Sequence, residues 1–207
     1  MPRTRLVLAS ASPARRALLQ QVGICAHVQA SAVDESALVA DLTAHHGLLE
    51  PPDLVLALAR AKAEDVANDH DSLVLGCDSM LELDGHVHGK PADAAEAAAR
   101  WALMSGRSGT LHTGHWLIDR RADGTGGQVG ATASTLVHFA RLSPEEIAAY
   151  VATGEPLRVA GGFTVDGLGG AFVTGIEGDH HNVVGLSLPV LRDLLTELGV
   201  GWFDLTQ

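Results

Sequence analysis

The chain is poor in three things that often define a protein's chemistry: cysteine, positive charge and long apolar runs. Its 207 residues hold two cysteines. Cys25 and Cys77 are too few and too casually spaced for a disulfide scaffold or a structural zinc site, so a reducing, cytoplasmic setting is expected. Lys and Arg number 14 against 25 Asp and Glu, a formal net charge of -11. That balance argues against DNA or RNA, whose binding is driven by basic surface and counterion release, and no nucleic-acid partner is expected. A small phosphorylated ligand in a local basic pocket is compatible with it. No stretch is long enough to cross a membrane, and Pro13, Arg15 and Arg16 cut short the apolar run at residues 6–9 before it resembles a targeting segment. Three motifs are missing as well. There is no Gly-x-x-x-x-Gly-Lys-[Ser/Thr] loop, no dinucleotide fingerprint after a strand, and no serine in a nucleophile elbow.

What is present suffices for a real core without staples, and a single domain over residues 1–207 is expected. Strand-like and helix-like segments alternate, which predicts an α/β protein with a mixed sheet. Leu6-Val7-Leu8 reads as a short buried strand, Ser12 as an N-cap, Pro13 as the first helical residue and Gly23 as the stop. Further helices are predicted over residues 54–66 after Pro51-Pro52, from Asp93 with Glu96 to about Ser105-Gly106, and from Ser143 with Glu146 to Gly154. A last helix over residues 188–198 lines leucines along one face and stops at Gly199. Residues 111–119 and 133–140 read as strands joined by a Gly-rich connection. Asp84-Gly85 and Asp166-Gly167 read as two-residue hairpin turns.

Several polar residues sit where such patterns do not ask for them. Arg15 and Arg16 occupy the first helical turn, where the macrodipole favours an anion; with Ser10 and Ser12 before them they describe either a phosphate site or two solvated arginines. Asp78 ends an apolar strand, a costly place for a carboxylate without a partner. Counting outward from Asp84-Gly85 pairs Leu83 with His86 and Ser79 with Lys90, which brings Asp78 near Lys90 unless Gly89 and Pro91 end the ladder first. A carboxylate beside an ammonium suits general-base and phosphate-neutralising roles, or a plain structural ion pair. Lys62 falls on the apolar face set by Val55, Leu58, Ala59 and Val66, as a snorkelling surface lysine or as one aimed at phosphates. Asp34-Glu35, read as a loop, offers oxygen ligands for magnesium or manganese, or is a plain solvated turn. The pairs His45-His46, His112 with His115, and His180-His181 have no convincing partner set for zinc and read as structural or surface residues.

In this order the pieces resemble the Maf family of nucleoside triphosphate pyrophosphatases. The likeness is carried by Leu8 to Arg15, Val33-Asp34-Glu35, Ala59 to Ala63, Gly76-Cys77-Asp78, Gly89-Lys90-Pro91, Gly106-Arg107 with Thr113-Gly114, Ala160-Gly161 and Asn182 to Leu186. The resemblance implies an elongated, two-lobed mixed-sheet fold similar to the inosine triphosphate pyrophosphatases, with substrate in the cleft between lobes. It implies hydrolysis of a nucleoside triphosphate to a monophosphate and pyrophosphate with a divalent cation, Mg, Mn or Co. Asp78 then matches the proton acceptor, or a metal ligand. Lys62 and Lys90, with Ser10 and Arg15, match phosphate-handling positions, and Glu35 an acidic residue that holds the metal. Ala14, Ser79 and Asp166 fall at positions that set base preference. They agree fully with neither the branch acting on uridine, thymidine and modified pyrimidine nucleotides nor that acting on 7-methyl-GTP, which leaves the base open. The resemblance also allows a homodimer. Its association with septum formation supplies an alternative, a nucleotide-binding regulator of cell division that does not hydrolyse.

Overall fold

A computed structural model of the chain describes residues 4–67 and 71–206, the side chain of His46 excepted. In chain order the elements are β1 (Leu6–Leu8), α1 (Pro13–Gln21), β2 (His27–Val28), α2 (Glu35–His46), α3 (Pro51–Val66), β3 (Leu73–Leu83) and β4 (His86–His88). There follow α4 (Ala94–Met104), β5 (Ser108–Asp119), β6 (Gln128–Phe139), α5 (Pro144–Ala152), β7 (Val173–Glu177), α6 (His180–Val184) and α7 (Leu188–Glu197). The strands form one mixed α/β sheet in the order β2-β1-β3-β5-β6-β7, with β4 paired to β3. β1 runs parallel to β2 and β3, whereas β4 pairs antiparallel with β3 and β7 with β6. No described helix is long and apolar enough to cross a membrane.

The chain divides into two compact units. One holds residues 1–78, 113–133 and 185–207, the other residues 79–112 and 134–184, so that β3, β5 and β6 contribute residues to both. In the first unit Val7, Ala9, Val74 and Ile118 of the strands pack on Ala63, Val66 and Ala67. Two glycines let α3 lie directly on the sheet there. A Cβ at Gly76 would overlap the carbonyl oxygen of Ala59 and stand 2.8 Å from the nitrogen of Ala63, while one at Gly114 would overlap the carbonyl of Val55. Backbone therefore touches backbone, closer than any side chain would permit.

The second unit is built around Trp101 of α4. Its ring meets Phe139, Tyr150 and Phe172 edge-on, with centroids 5.4–5.8 Å apart, and its Nε1 donates to the carbonyl of Gly162 at 2.8 Å. Such edge contacts and a satisfied indole N–H make this a well-specified core.

Local signals explain the helix starts. Ser12, Asp93, Ser143 and Ser187 each cap a helix through a side-chain oxygen, and Ser143 with Glu146 closes a full capping box. Asp93 differs slightly from the sequence reading: it accepts from the nitrogen of Glu96, but the Glu96 carboxylate bonds the nitrogen of Ala92. The Asp84-Gly85 turn forms as expected, both residues having positive φ, and β4 pairs Leu83 with His86. Two readings are corrected. Asp34-Glu35, taken as a loop, instead starts helix α2 (Glu35–His46), with Asp34 as its cap, its Oδ1 accepting from Ala37 at 3.0 Å. Asp166-Gly167 makes no hairpin: the nitrogens of Leu168 and Gly169 bond the Glu155 carboxylate, each at 3.0 Å, and a short 3-10 turn follows instead of a strand pairing.

Gly76→Ala is expected to lower the unfolding free energy by about 2–3 kcal/mol, since backbone atoms of α3 must retreat. Urea unfolding checks this; an unchanged midpoint would mean that α3 is not held against β3.

Candidate active site

The first unit buries a cluster of charge at the point where α3 meets β3. Residues 73–77 of β3 run through the core, and Asp78, the next residue of the same strand, is only 6 % exposed. The buried face of α3 comprises Leu54, Val55, Leu58, Ala59, Lys62, Ala63 and Val66, so Lys62 has no apolar alternative to finding a counter-charge. Its Nζ donates to Asp78 Oδ1 at 2.5 Å and lies 2.7 Å from Glu35 Oε1. Glu35 opens α2, where the helix dipole favours a carboxylate, and its side chain is about half exposed. The acidic pair is thus divided in its duties, Asp34 spent on capping and Glu35 turned to Lys62.

Asp78 is only half satisfied. Its Oδ2 is buried without a hydrogen-bond partner among the described residues. Burial pushes the Asp78 carboxyl above the ordinary aspartate range; the charge and hydrogen bond of Lys62 and the charge of Arg15 oppose this, and Glu35 adds to it. Contrary to the sequence reading, Asp78 does not end its strand, for β3 continues to Leu83. A buried carboxylate oxygen without a donor is expensive, and such an atom midway along a strand is a candidate receiver for a water proton or a cation. The neighbouring Cys77 thiol is pushed up to about 11 by burial, which leaves it inert as a nucleophile.

Arg15 is 8 % exposed and turned inward. Its Nε donates to the Gly185 carbonyl at 2.6 Å, and one terminal nitrogen donates to Ser10 Oγ and to the Cys77 carbonyl, both at 2.9 Å. It therefore clamps the peptide bond that precedes Asp78, and Ser10, which also accepts from the nitrogen of Ser12, is part of that clamp. Ala14 beside it is half-buried, and Arg16 is exposed.

The remaining candidates belong to the second unit. Lys90 is exposed on a bend after β4, and Ser79 is half-buried. The Ser79–Lys90 pairing reached by counting does not form: the ladder ends at Leu81 with His88. The carbonyl of Gly89 is instead taken by Arg100 Nη1 at 2.5 Å and by the nitrogen of Gly161 at 3.0 Å. Asp166 lies exposed in a bend that Glu155 organises, accepting from Tyr150 Oη at 2.8 Å and Thr164 Oγ1 at 2.6 Å as well as from the two loop nitrogens. Sequence reasoning passed over Arg100 and Glu155. Arg100 had a legible signal, the same as that of Lys62: with Ala97, Trp101 and Met104 it occupies the buried face of its helix. Glu155 had none, because apart from Tyr150 its partners come from residues 164–169, after another turn of chain.

The histidines serve local structure. His112 bridges Ser134 Oγ and Glu82 Oε2, each at 2.8 Å, and His115 Nε2 accepts from the nitrogen of Ser187 at 2.8 Å. His180 and His181 pack edge to face. No three His, Cys, Asp or Glu side chains among the described residues converge as a complete metal site.

A mixed α/β protein that buries a lysine–aspartate pair and leaves one carboxylate oxygen unsatisfied among the described residues carries groups suited to acid–base chemistry. The chain belongs to the Maf family: the family described as Maf-like protein matches it over residues 5–198. It is 55% identical over 207 residues to a nucleoside triphosphate pyrophosphatase of Streptomyces coelicolor, covering 99% of this chain and 95% of the relative. A protein of the same name from Salinispora tropica is 56% identical over 202 residues, 95% and 84% of the two chains. Among solved structures, a HAM1 protein from Coxiella burnetii shares 19% identity and a TM-score of 0.46 across 94% of this chain and 99% of its own, a likeness too slight to argue from.

Lys62→Met should expose the cost of the buried carboxylate in a pH-dependent way. A carboxyl whose pKa is raised on folding gives stability that is fully present below its ordinary value of 3.8 and is lost as pH rises through the folded value. Without Lys62 that loss deepens, so the variant should be destabilised by about 3–5 kcal/mol near pH 8 and by much less near pH 4. Equal losses at the two pH values in urea titrations would refute it.

Proposed function

We propose that the chain hydrolyses a nucleoside triphosphate to the nucleoside monophosphate and pyrophosphate, with Asp78 as the group that receives the proton of the attacking water. The observation that carries this reading is the buried, unpartnered Oδ2 of Asp78. Lys62 fixes Oδ1, so the free oxygen is held in one orientation, and burial makes the carboxylate a stronger base than a solvated aspartate. The Lys62 charge beside Oδ1 favours the carboxylate and so works against proton acceptance at Oδ2; burial is what raises the basicity, and Lys62 holds the group in place. The family membership and the names of the relatives support the same reaction class.

A divalent cation (Mg, Mn or Co) fits the donor set in part. Glu35 and, as the alternative to receiving a proton, the Oδ2 of Asp78 would be hard oxygen ligands, which suits a cation that completes its shell with water and substrate phosphate oxygens rather than with a full protein cage. When bound, it would neutralise charge developing on the phosphates. Ser10 and Arg15 are assigned to shaping the substrate site through the Cys77 carbonyl, with Arg15 adding positive field. Lys90 is assigned to a phosphate of the substrate on the strength of its Gly-Lys-Pro motif. Ala14, Ser79 and Asp166 are proposed to bear on base preference, and a cytoplasmic setting on the family's substrate class.

Asp78→Asn tests the assignment. Pyrophosphate release should fall by about 10²–10⁴-fold with nearly unchanged thermal stability, as for loss of a general base. Near-normal turnover would sink the role of Asp78. Tight nucleotide binding without turnover by the unaltered protein, with magnesium, manganese or cobalt, would favour a regulator of cell division. Monophosphate with orthophosphate and no pyrophosphate would contradict the bond cleaved.

A further inference from the structure

We propose that Arg100 is a positioning residue for Lys90, an inference that rests on the reading of Lys90 as a phosphate-binding residue. Arg100 is 5 % exposed on the buried face of α4, a place where a guanidinium persists only if its donors are used. One terminal nitrogen donates to the carbonyl of Gly89, the residue immediately before Lys90. The other pairs with Glu96 one turn back on the same helix. The second oxygen of Glu96 accepts from the nitrogen of Ala92 at 2.8 Å, so one ion pair grips the segment on both sides of Lys90.

The grip has a second anchor. The nitrogen of Gly161 donates to the same Gly89 carbonyl at 3.0 Å, and Gly161 reaches it only with a φ of 71°, packed so closely that a Cβ would stand 2.8 Å from Leu81 Cβ. The next residue in α4, Trp101, bonds the Gly162 carbonyl. Helix α4 thus ties down both the Gly89–Ala92 segment and the glycine turn behind it. Gly89 itself could add a Cβ without meeting any atom within 4 Å, so local crowding does not fix this bend. The hydrogen bonds do. A flexible lysine on an unheld bend would spend part of its binding free energy on ordering its own backbone. Held by the preceding carbonyl, it meets the phosphate with that ordering already done. Charge repulsion also keeps the surroundings simple: burial and the Arg100 charge push the His88 imidazole below its ordinary range, so His88 adds little positive charge of its own.

The test is a double-mutant cycle on pyrophosphate release from a nucleoside triphosphate, with Arg100→Met, Lys90→Gln and the pair together. Arg100→Met should raise KM on the order of tenfold and lower kcat much less. In the Lys90→Gln background the same change should cost almost nothing, because Arg100 acts only through Lys90. Arg100→Lys, which keeps a donor for the Gly89 carbonyl but not the fork to Glu96, should recover part of the loss, and Arg100→Gln takes the place of Arg100→Met in the cycle should that variant fail to fold. As a control for general loosening of the unit, Val151→Ala should lower Tm without raising KM. Losses that multiply in the double variant would overturn the positioning role while leaving Lys90 in place. A Lys90→Gln enzyme of normal KM and kcat would overturn the reading of Lys90 and this inference with it.

Discussion

The contact between helix α3 and strand β3 is the constraint from which the candidate site follows. With no side chain at Gly76, the helix backbone reaches the strand, and that approach commits everything on the facing surfaces to a dry interior. Most of those residues are Ala, Val and Leu, and gain by burial. Lys62 and Asp78 do not. Their ion pair is less a source of stability than a way of limiting a loss, because desolvating two charges costs about as much as their attraction returns. Such an arrangement is tolerated where the charges have work to do, and the unpartnered oxygen of Asp78 shows the pair is not closed upon itself.

Two arginines repeat one structural idea. Arg15 binds the carbonyl before Asp78 and Arg100 the carbonyl before Lys90. Each is buried, each reaches its target from a helix, and each uses the several N–H groups of a guanidinium to hold more than one acceptor at once. A lysine could neutralise charge equally well but could not fork between acceptors in the way Arg15 joins Gly185, Ser10 and Cys77. The phosphate reading of the α1 terminus changes accordingly. Its inward arginine acts first on the backbone of the site, and the exposed Arg16 makes no such contact among the described residues.

Much of this was legible in the chain because it rests on local rules. Helix starts at Ser12, Asp93, Ser143 and Ser187 are capping chemistry, the Asp84-Gly85 hairpin is turn chemistry, and each is decided within about four residues. Lys62 announced itself by breaking an apolar face, and Arg100 breaks another in the same manner. The misreadings share a different cause. Asp34 was read with Glu35 as part of a loop, a metal ligand or a solvated turn, although capping was open to it, and Asp166-Gly167 as a hairpin because the partner that diverts the loop, Glu155, lies more than ten residues away in sequence.

Sequence alone determined the mixed α/β class, the boundaries of α1, α3, α4, α5 and α7 to within a few residues, the family, and the residue types available for phosphate chemistry. These depend on periodicity, caps, turns and an ordered set of motifs, all written along the chain. Tertiary structure decided which of those residues are used and how. It joined Lys62 to both Asp78 and Glu35, left one oxygen of Asp78 without a donor, turned Arg15 inward and gave Lys90 its anchor in Arg100. Burial and hydrogen bonding between residues 11 to 170 positions apart are set by how helices close on strands, and no local pattern encodes that closure.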